Sequence, residues 1–90
     1  MGIGKDKKYW AKIASKILKT ELAKRDMTYI ELVKKLKDMG IEIKVEDMRG
    51  RIARGTFSAI LFIQCLKAID VKNLQLEDSF FDNDLNTHSR

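Results

Sequence analysis

The fold is decided by the stretch TYIELVKKLKDMG, residues 28–40. Thr28 followed by Glu31 has the pattern of a capping box, in which the threonine hydroxyl and the glutamate carboxylate each accept a backbone N–H at the start of a helix. Apolar residues then recur at helical spacing, and Gly40 is the expected stop, because glycine accepts the left-handed conformation that follows many helices. The predicted buried face consists of Tyr29, Leu32, Val33 and Leu36.

A longer amphipathic helix precedes this stretch, at about residues 7–25. Its apolar residues follow the i, i+3, i+4, i+7 spacing of one buried stripe. The stripe consists of Trp10, Ile13, Ala14, Ile17, Leu18 and Leu22. Trp10, at the head of the stripe, is expected to be a core residue. Four lysines lie off the stripe: Lys12, Lys16, Lys19 and Lys24.

Two shorter helices follow. The third, at about residues 45–53, is closed by Gly55 and contains Gly50. A mid-helix glycine costs about 1 kcal/mol relative to alanine, which suggests that something approaches the chain closely there. The fourth helix, at about residues 58–69, begins at Ser58. Since this helix is apolar on nearly every side, we expect it to be the buried centre of the bundle.

Residues 41–45 and 72–76 are ambiguous. Both alternate apolar and polar side chains, so they are expected either to pair as a short two-stranded ribbon or to remain loops.

The four helices predict an all-α fold, a compact bundle of four to five helices. We assign residues 1–6 to a flexible N-terminus, 7–82 to a single helical domain and 83–90 to a flexible tail, because the two ends offer little to pack.

The charge is spread unevenly along the 90 residues, whose formal net charge is +5. Residues 1–67 carry 16 basic and 8 acidic side chains, a net +8, whereas residues 68–90 carry 2 and 5, a net −3. A basic body attracts polyanions, because neutralising phosphates releases condensed counterions. The alternative is that the lysines only keep the helix faces solvated.

The composition excludes several classes of protein. One cysteine and one histidine cannot form an intrachain disulfide or a four-ligand zinc site. Because Cys65 is expected in the buried fourth helix and His88 lies in the tail, no pair for nucleophilic catalysis is expected either. We therefore expect no enzyme activity, no cofactor, no metal and no small-molecule substrate. No apolar run approaches the roughly 20 residues of a membrane span, so we expect no membrane partner and a cytoplasmic protein.

Five short motifs carry a resemblance to a small bacterial family of uncharacterised function. They are Trp10, Ile17-Leu18-Lys19-Thr20-Glu21-Leu22, Thr28-Tyr29-Ile30-Glu31-Leu32, Arg54-Gly55-Thr56-Phe57-Ser58 and Gln64-Cys65-Leu66. This resemblance supports a shared fold and implies no particular function.

The order of the elements also resembles the lambda-repressor/Cro-type helix-turn-helix, over about residues 17–71. Glu31-Leu32-Val33 lies where that family has a related motif in its second helix, and Arg54-Gly55 closes the helix that would be the recognition helix. The resemblance implies a DNA-binding transcriptional regulator that binds duplex DNA as a homodimer. The alternative is a protein-interaction adaptor that uses the same helical fold.

The resemblance places the DNA contacts on and around the third helix. The candidates for base or groove contact are Lys44, Arg49, Gly50, Arg51 and Arg54. The candidates for phosphate contact are Thr28, Tyr29, Lys34, Lys35, Thr56 and Ser58. Helical projection puts Arg49 near the buried edge and Gly50 outward. In the alternative interpretation, the arginines form ion pairs with Glu46 and Asp47 along the helix, while Thr28 and Ser58 only cap helices.

The segment after the last helix carries the candidates for a dimer interface. These are Leu74, Leu76, Phe80 and Phe81. The alternative is that this apolar segment folds back onto the bundle.

Overall fold

Helices supply all the regular structure in residues 6–81, the part of the chain that the computed structural model describes. The elements are α1 (Lys7–Lys24), α2 (Tyr29–Asp38), α3 (Val45–Arg54), α4 (Ala59–Ala68) and a 3-10 turn (Asp78–Phe80). The predicted all-α bundle is therefore confirmed, with each helix within about one to two residues of its expected bounds. The termini that were expected to be flexible lie outside the described residues, except Asp6.

Side chains cap three of the four helices. The Asp6 carboxylate accepts from the Tyr9 N–H at 3.2 Å, so Asp6 begins α1 and does not belong to a loose end as expected. Thr28 forms the predicted capping box: its Oγ1 accepts from the Glu31 N–H at 3.1 Å, and its own N–H donates to Glu31 Oε1 at 2.9 Å. Ser58 Oγ accepts from the Leu61 N–H at 3.0 Å and starts α4.

One cluster of buried side chains joins all four helices. Each of α1, α2 and α3 contributes two residues, and the C-terminal end of α4 contributes two more. The members are Leu18, Leu22, Leu32, Leu36, Met48, Ile52, Cys65 and Ile69. The two members from each helix are four residues apart, as residues on one face of a helix are.

A smaller cluster holds the segment that follows α4. Phe80 packs against Ile13 and Ile17 of α1 and is only 7% exposed, and Leu74 and Phe81 lie against the same group. Of the two interpretations of this segment, the structure shows the one in which it folds back onto the bundle. Only Leu76 among the dimer candidates stays well exposed, at 60%.

Two expectations about burial are wrong. In α4, Cys65 is the only buried residue, whereas Ile60 and Ile63 are 70% and 64% exposed. The reason is that α4 packs mainly on α2, along one side, and a domain this small has too little structure to cover the other side. Trp10 is 39% exposed, because in the first turn of α1 it is Tyr9, and not Trp10, that packs against the smaller cluster. The Trp10 ring meets the Tyr9 ring edge-on, with centroids 4.8 Å apart.

The alternating segments at 41–45 and 72–76 form no ribbon, and no strand occurs in residues 6–81. A backbone N–H at the start of each segment closes the preceding helix. The Ile41 N–H donates to the Leu36 carbonyl, and the N–H of Val71, just before the second segment, donates to the Leu66 carbonyl, each at 2.9 Å. Ile41 and Val71 pack against the main cluster. Both segments are therefore loops, which is the second interpretation given above. The apolar residues of 41–45 are partly buried, whereas in 72–76 only Leu74 is, and Leu76 is 60% exposed.

Gly55 fixes the contact between α1 and α3. It has a φ of +67° and ends α3 in the left-handed conformation. A Cβ at this position would overlap the backbone of Ala11, since it would lie 2.6 Å from the Ala11 carbonyl carbon and closer still to the oxygen. Because no side chain stands between them, the end of α3 lies directly on the beginning of α1.

A buried ion pair ties the other end of α1 to the end of α4. The Glu21 side chain is 4% exposed, and its Oε1 accepts from Arg25 Nη1 at 2.8 Å. Arg25 Nη1 also donates to the Glu21 carbonyl at 2.9 Å, and its Nε donates to the Ile69 carbonyl at 2.8 Å. The guanidinium thus stabilises both a buried carboxylate and the C-terminal cap of α4.

Candidate nucleic-acid interface

The exposed charge of α1 is entirely positive. Lys8, Lys12, Lys16 and Lys19 are exposed, and their spacing of four, four and three residues puts them in one row along the helix. The one acidic residue between Lys7 and Lys24 is Glu21, which is buried and paired with Arg25. Hence no exposed carboxylate on this helix offsets the row.

A cavity of about 740 Å³ lies between the beginning of α1 and the end of α3. Lys7, Lys8 and Lys12 line one side, and Arg54 and Thr56 line the other. Of the carboxylates that the structure describes, only Asp6 lies in the lining, and it accepts the Tyr9 N–H at the start of α1. Four cations therefore surround one cleft, which is the arrangement expected of an anion-binding surface.

A second cavity, of about 520 Å³, lies farther along the same pair of helices and against the start of α2. Lys19 of α1 and Arg49 of α3 both line it. The Arg49 guanidinium carbon lies 5.5 Å from the centroid of the Tyr29 ring, at cation–π distance. Arg49 is exposed, which corrects its projected position near the buried edge: the aromatic ring supports its side chain on the outside of the bundle.

The two cavities show that α1 and α3 run antiparallel, side by side. Together they form a surface that we call the α1/α3 basic face, made of Lys8, Lys12, Lys16, Lys19, Arg49 and Arg54. The sequence placed three of these lysines off the apolar stripe of α1 but named none of the four as a contact candidate. Their spacing on one helix, with no exposed acid between them, is the signal that identifies them.

Other candidates on α3 have different surroundings. Arg51 Nε lies 3.6 Å from Asp47 Oδ1, so the ion pair of the alternative interpretation is formed, and this nitrogen has no hydrogen-bond partner in residues 6–81. Lys44 begins α3 and lines a separate cavity with Glu42 and Asp47. These carboxylates weaken the local positive potential at that end of the helix.

Gly50 is approached by the side chain of Arg54. A Cβ on Gly50 would lie 3.0 Å from an Arg54 guanidinium nitrogen, and no main-chain atom of another element is among its nearest neighbours. No carboxylate among residues 6–81 lies within ion-pair distance of Arg49 or Arg54. Both guanidinium groups are thus available to an external anion.

The phosphate candidates separate into three groups. Thr28 and Ser58 use their hydroxyl groups to cap α2 and α4. Tyr29 lies under Arg49, and Thr56 lines the cavity beside Arg54. The remaining two, Lys34 and Lys35, are exposed on α2 and line neither cavity of the α1/α3 basic face.

Cys65 lies in the main cluster, and burial raises the pKa of its thiol to about 11. Since the thiolate is the reactive form, we expect the folded protein at pH 8 to react with a disulfide reagent more than 100-fold more slowly than the urea-unfolded chain. The rate of thiol labelling with and without urea measures this. Equal rates would contradict the burial of Cys65.

In residues 6–81 no group of three or more potential metal ligands comes together.

Comparison with known proteins identifies a family. A model described as a domain of unknown function (DUF6471) matches residues 10–74, a span that includes α2, α3, α4 and all but the first three residues of α1. A search of curated proteins and a search of solved structures gave no match.

Among residues 6–81, no helix is both long and apolar enough to cross a membrane.

Proposed function

The chain belongs to the DUF6471 family, a domain of unknown function, and from the charges on its surface we propose that it binds duplex DNA. In this proposal α2 and α3 act as a helix-turn-helix, and the protein is a transcriptional regulator. The observation that supports the proposal is the α1/α3 basic face, six cations to which helix α1 itself, Lys7–Lys24, adds no exposed carboxylate.

The dimensions of this face suit a duplex. Lys8 and Lys19 are eleven residues apart on α1, which corresponds to roughly 16 Å along the helix. The major groove is about 12 Å wide, so lysines at the two ends of the row can reach phosphates on both of its edges. The row would then position the protein, and α3 beside it would supply contacts to the bases.

The arginines of α3 are the candidates for base contact. Arg49 and Arg54 point away from the core and have no carboxylate partner in residues 6–81. An arginine that donates two hydrogen bonds to O6 and N7 of guanine contributes roughly 1–3 kcal/mol of discrimination between bases. Arg51 is a weaker candidate, because binding a base would compete with its ion pair to Asp47.

The dependence of affinity on salt tests the proposal. Each phosphate that the protein neutralises contributes about −0.9 to the slope of log affinity against log salt, so six contacts predict a slope of roughly −5 per protomer. Fluorescence anisotropy of a labelled mixed-sequence duplex, measured from low to moderate salt, gives this slope. Absence of binding at low salt would refute the proposal.

We also propose that the protein binds DNA as a homodimer, with α4 as the contact. The segment expected to form the interface is largely occupied by its packing on α1, whereas Ile60 and Ile63 lie three residues apart on α4 and are highly exposed. Burying two such side chains against a second copy removes apolar area from water. Sedimentation of the wild type and of an Ile60→Ser/Ile63→Ser variant tests this. A wild type that stays monomeric even on DNA would contradict it.

The same exposed residues favour the second candidate function, a protein-interaction adaptor. A helix that presents two isoleucines to solvent is a plausible contact for another protein as well as for a second copy. If the wild type fails to bind DNA, and a partner is lost on changing Ile60 and Ile63 to serine, the adaptor function is the better account.

A further inference from the structure

The second cavity of the α1/α3 basic face differs from the first in having apolar walls. Leu22 forms its base, and Ala23, Met27 and Ile30 line it. Ile30 is 55% exposed, so the apolar surface continues to the rim. The volume of about 520 Å³ lies within the range of roughly 300–1,000 Å³ that is usual for small-molecule sites.

The charged groups at this cavity are both positive. Lys19 and Arg49 line it, and among residues 6–81 no carboxylate does. The acidic residue that follows in α2, Glu31, has its carboxylate at 2.9 Å from the Thr28 N–H and 3.3 Å from the Thr28 hydroxyl, so it is used within the capping box. Tyr29 also lines the cavity, and its ring centroid lies 5.5 Å from the Arg49 guanidinium carbon.

We propose that this cavity binds a small amphipathic anion, a molecule with an aromatic or aliphatic body and one carboxylate or sulfonate group. The body would fill the apolar wall, and the acidic group would pair with Arg49 and Lys19. A DNA backbone does not fit this description, because it carries charge without an apolar part to occupy the wall. The cationic rim also distinguishes the cavity from the face of α4, which has isoleucines exposed without two flanking cations.

A ligand in this cavity is expected to change the affinity for DNA, an expectation that rests on the proposed function. Lys19 and Arg49 both belong to the cavity and to the surface proposed to contact the duplex. An anion that pairs with Arg49 neutralises one of the six cations and occupies space beside α3. The ligand is therefore expected to weaken DNA binding, as an effector of a regulator would.

The probe 1-anilinonaphthalene-8-sulfonate, an aromatic monoanion whose emission rises in apolar sites, tests the site on the full chain without DNA. We expect saturable one-to-one binding that weakens about fivefold or more in Arg49→Ala and in Ile30→Glu, which puts a negative charge on the exposed rim. Arg49→Lys retains the charge and should recover most of the affinity. The uncharged N-phenyl-1-naphthylamine should bind at least fivefold more weakly than the anion.

The Met39→Ser variant is the matched control, since Met39 is 42% exposed at the far end of α2 and lines neither cavity, and this variant should bind the probe as the wild type does. Loss of binding in this variant, or binding unchanged in both Arg49→Ala and Ile30→Glu, would overturn the proposed site. Displacement of a labelled duplex by the probe is measured separately. If the probe binds but does not displace a bound duplex, the effector role is wrong and the ligand site stands; if no duplex binds, the failure belongs to the proposed function.

Discussion

Replacing Gly55 by alanine is expected to lower the free energy of unfolding by about 2–5 kcal/mol. Two costs add. A residue with a side chain pays roughly 1–2 kcal/mol to adopt the left-handed conformation, and Gly55 has a φ of +67°. The added Cβ would also overlap the Ala11 backbone, and overpacking of this kind costs roughly 1–3 kcal/mol or more.

Gly40→Ala is the matched control for this prediction. Gly40 has a φ of +87°, but a Cβ there would have no neighbour within 4 Å. Only the conformational cost of roughly 1–2 kcal/mol remains. Urea unfolding followed by circular dichroism gives both values. Equal losses in the two variants would show that the close contact of α3 with α1 at Ala11 is not formed.

Arg25→Met is expected to destabilise the protein by about 2–4 kcal/mol. The change removes three hydrogen bonds of 2.8–2.9 Å and leaves the Glu21 carboxylate, 4% exposed, with Lys24 at 3.4 Å as its remaining partner. Breaking a buried pair by removing one member typically costs roughly 3–5 kcal/mol. We set the expected value lower, because the Arg25 side chain is itself 28% exposed.

Two further variants separate burial of charge from loss of contacts. Lys24 is 48% exposed, so Lys24→Met should cost less than about 1 kcal/mol, as exposed pairs do. In Glu21→Leu/Arg25→Met the buried carboxylate is gone, and part of the lost stability should return. Thermal unfolding of the four proteins measures these differences. A double variant no more stable than Arg25→Met would show that the buried carboxylate is not the source of the cost.

The helices could be predicted from local sequence because their causes are local. The capping box of Thr28 and Glu31, the cap at Ser58 and the left-handed glycine at 55 each act within a few residues. Periodicity also selected the buried apolar residues of α1 and α2, although it included the exposed Trp10. Periodicity does not show how many neighbours a helix has. Because α4 is apolar on nearly every side, it was therefore expected to be buried on all sides.

The same limit applies to the candidate site. The arginines of α3 could be singled out from the sequence, but not their surroundings: Arg51 is held by Asp47, whereas Arg49 rests on Tyr29. The lysines of α1 join the site only because Gly55 brings the end of α3 onto Ala11. That contact links distant parts of the chain, so no local pattern predicts it.

Two charge-matched double variants test the central claim, that the α1/α3 basic face binds duplex DNA. Lys12→Gln/Lys16→Gln removes two charges from the face, and Lys34→Gln/Lys35→Gln removes two exposed charges from α2, outside it. Anisotropy with one labelled duplex at one salt concentration compares them directly. We expect the first variant to bind roughly 10–100-fold more weakly, with a salt slope less steep by about 2, and the second to change affinity less than about threefold. Equal weakening of the two variants would contradict the claim, since binding would then depend on net charge and not on this face.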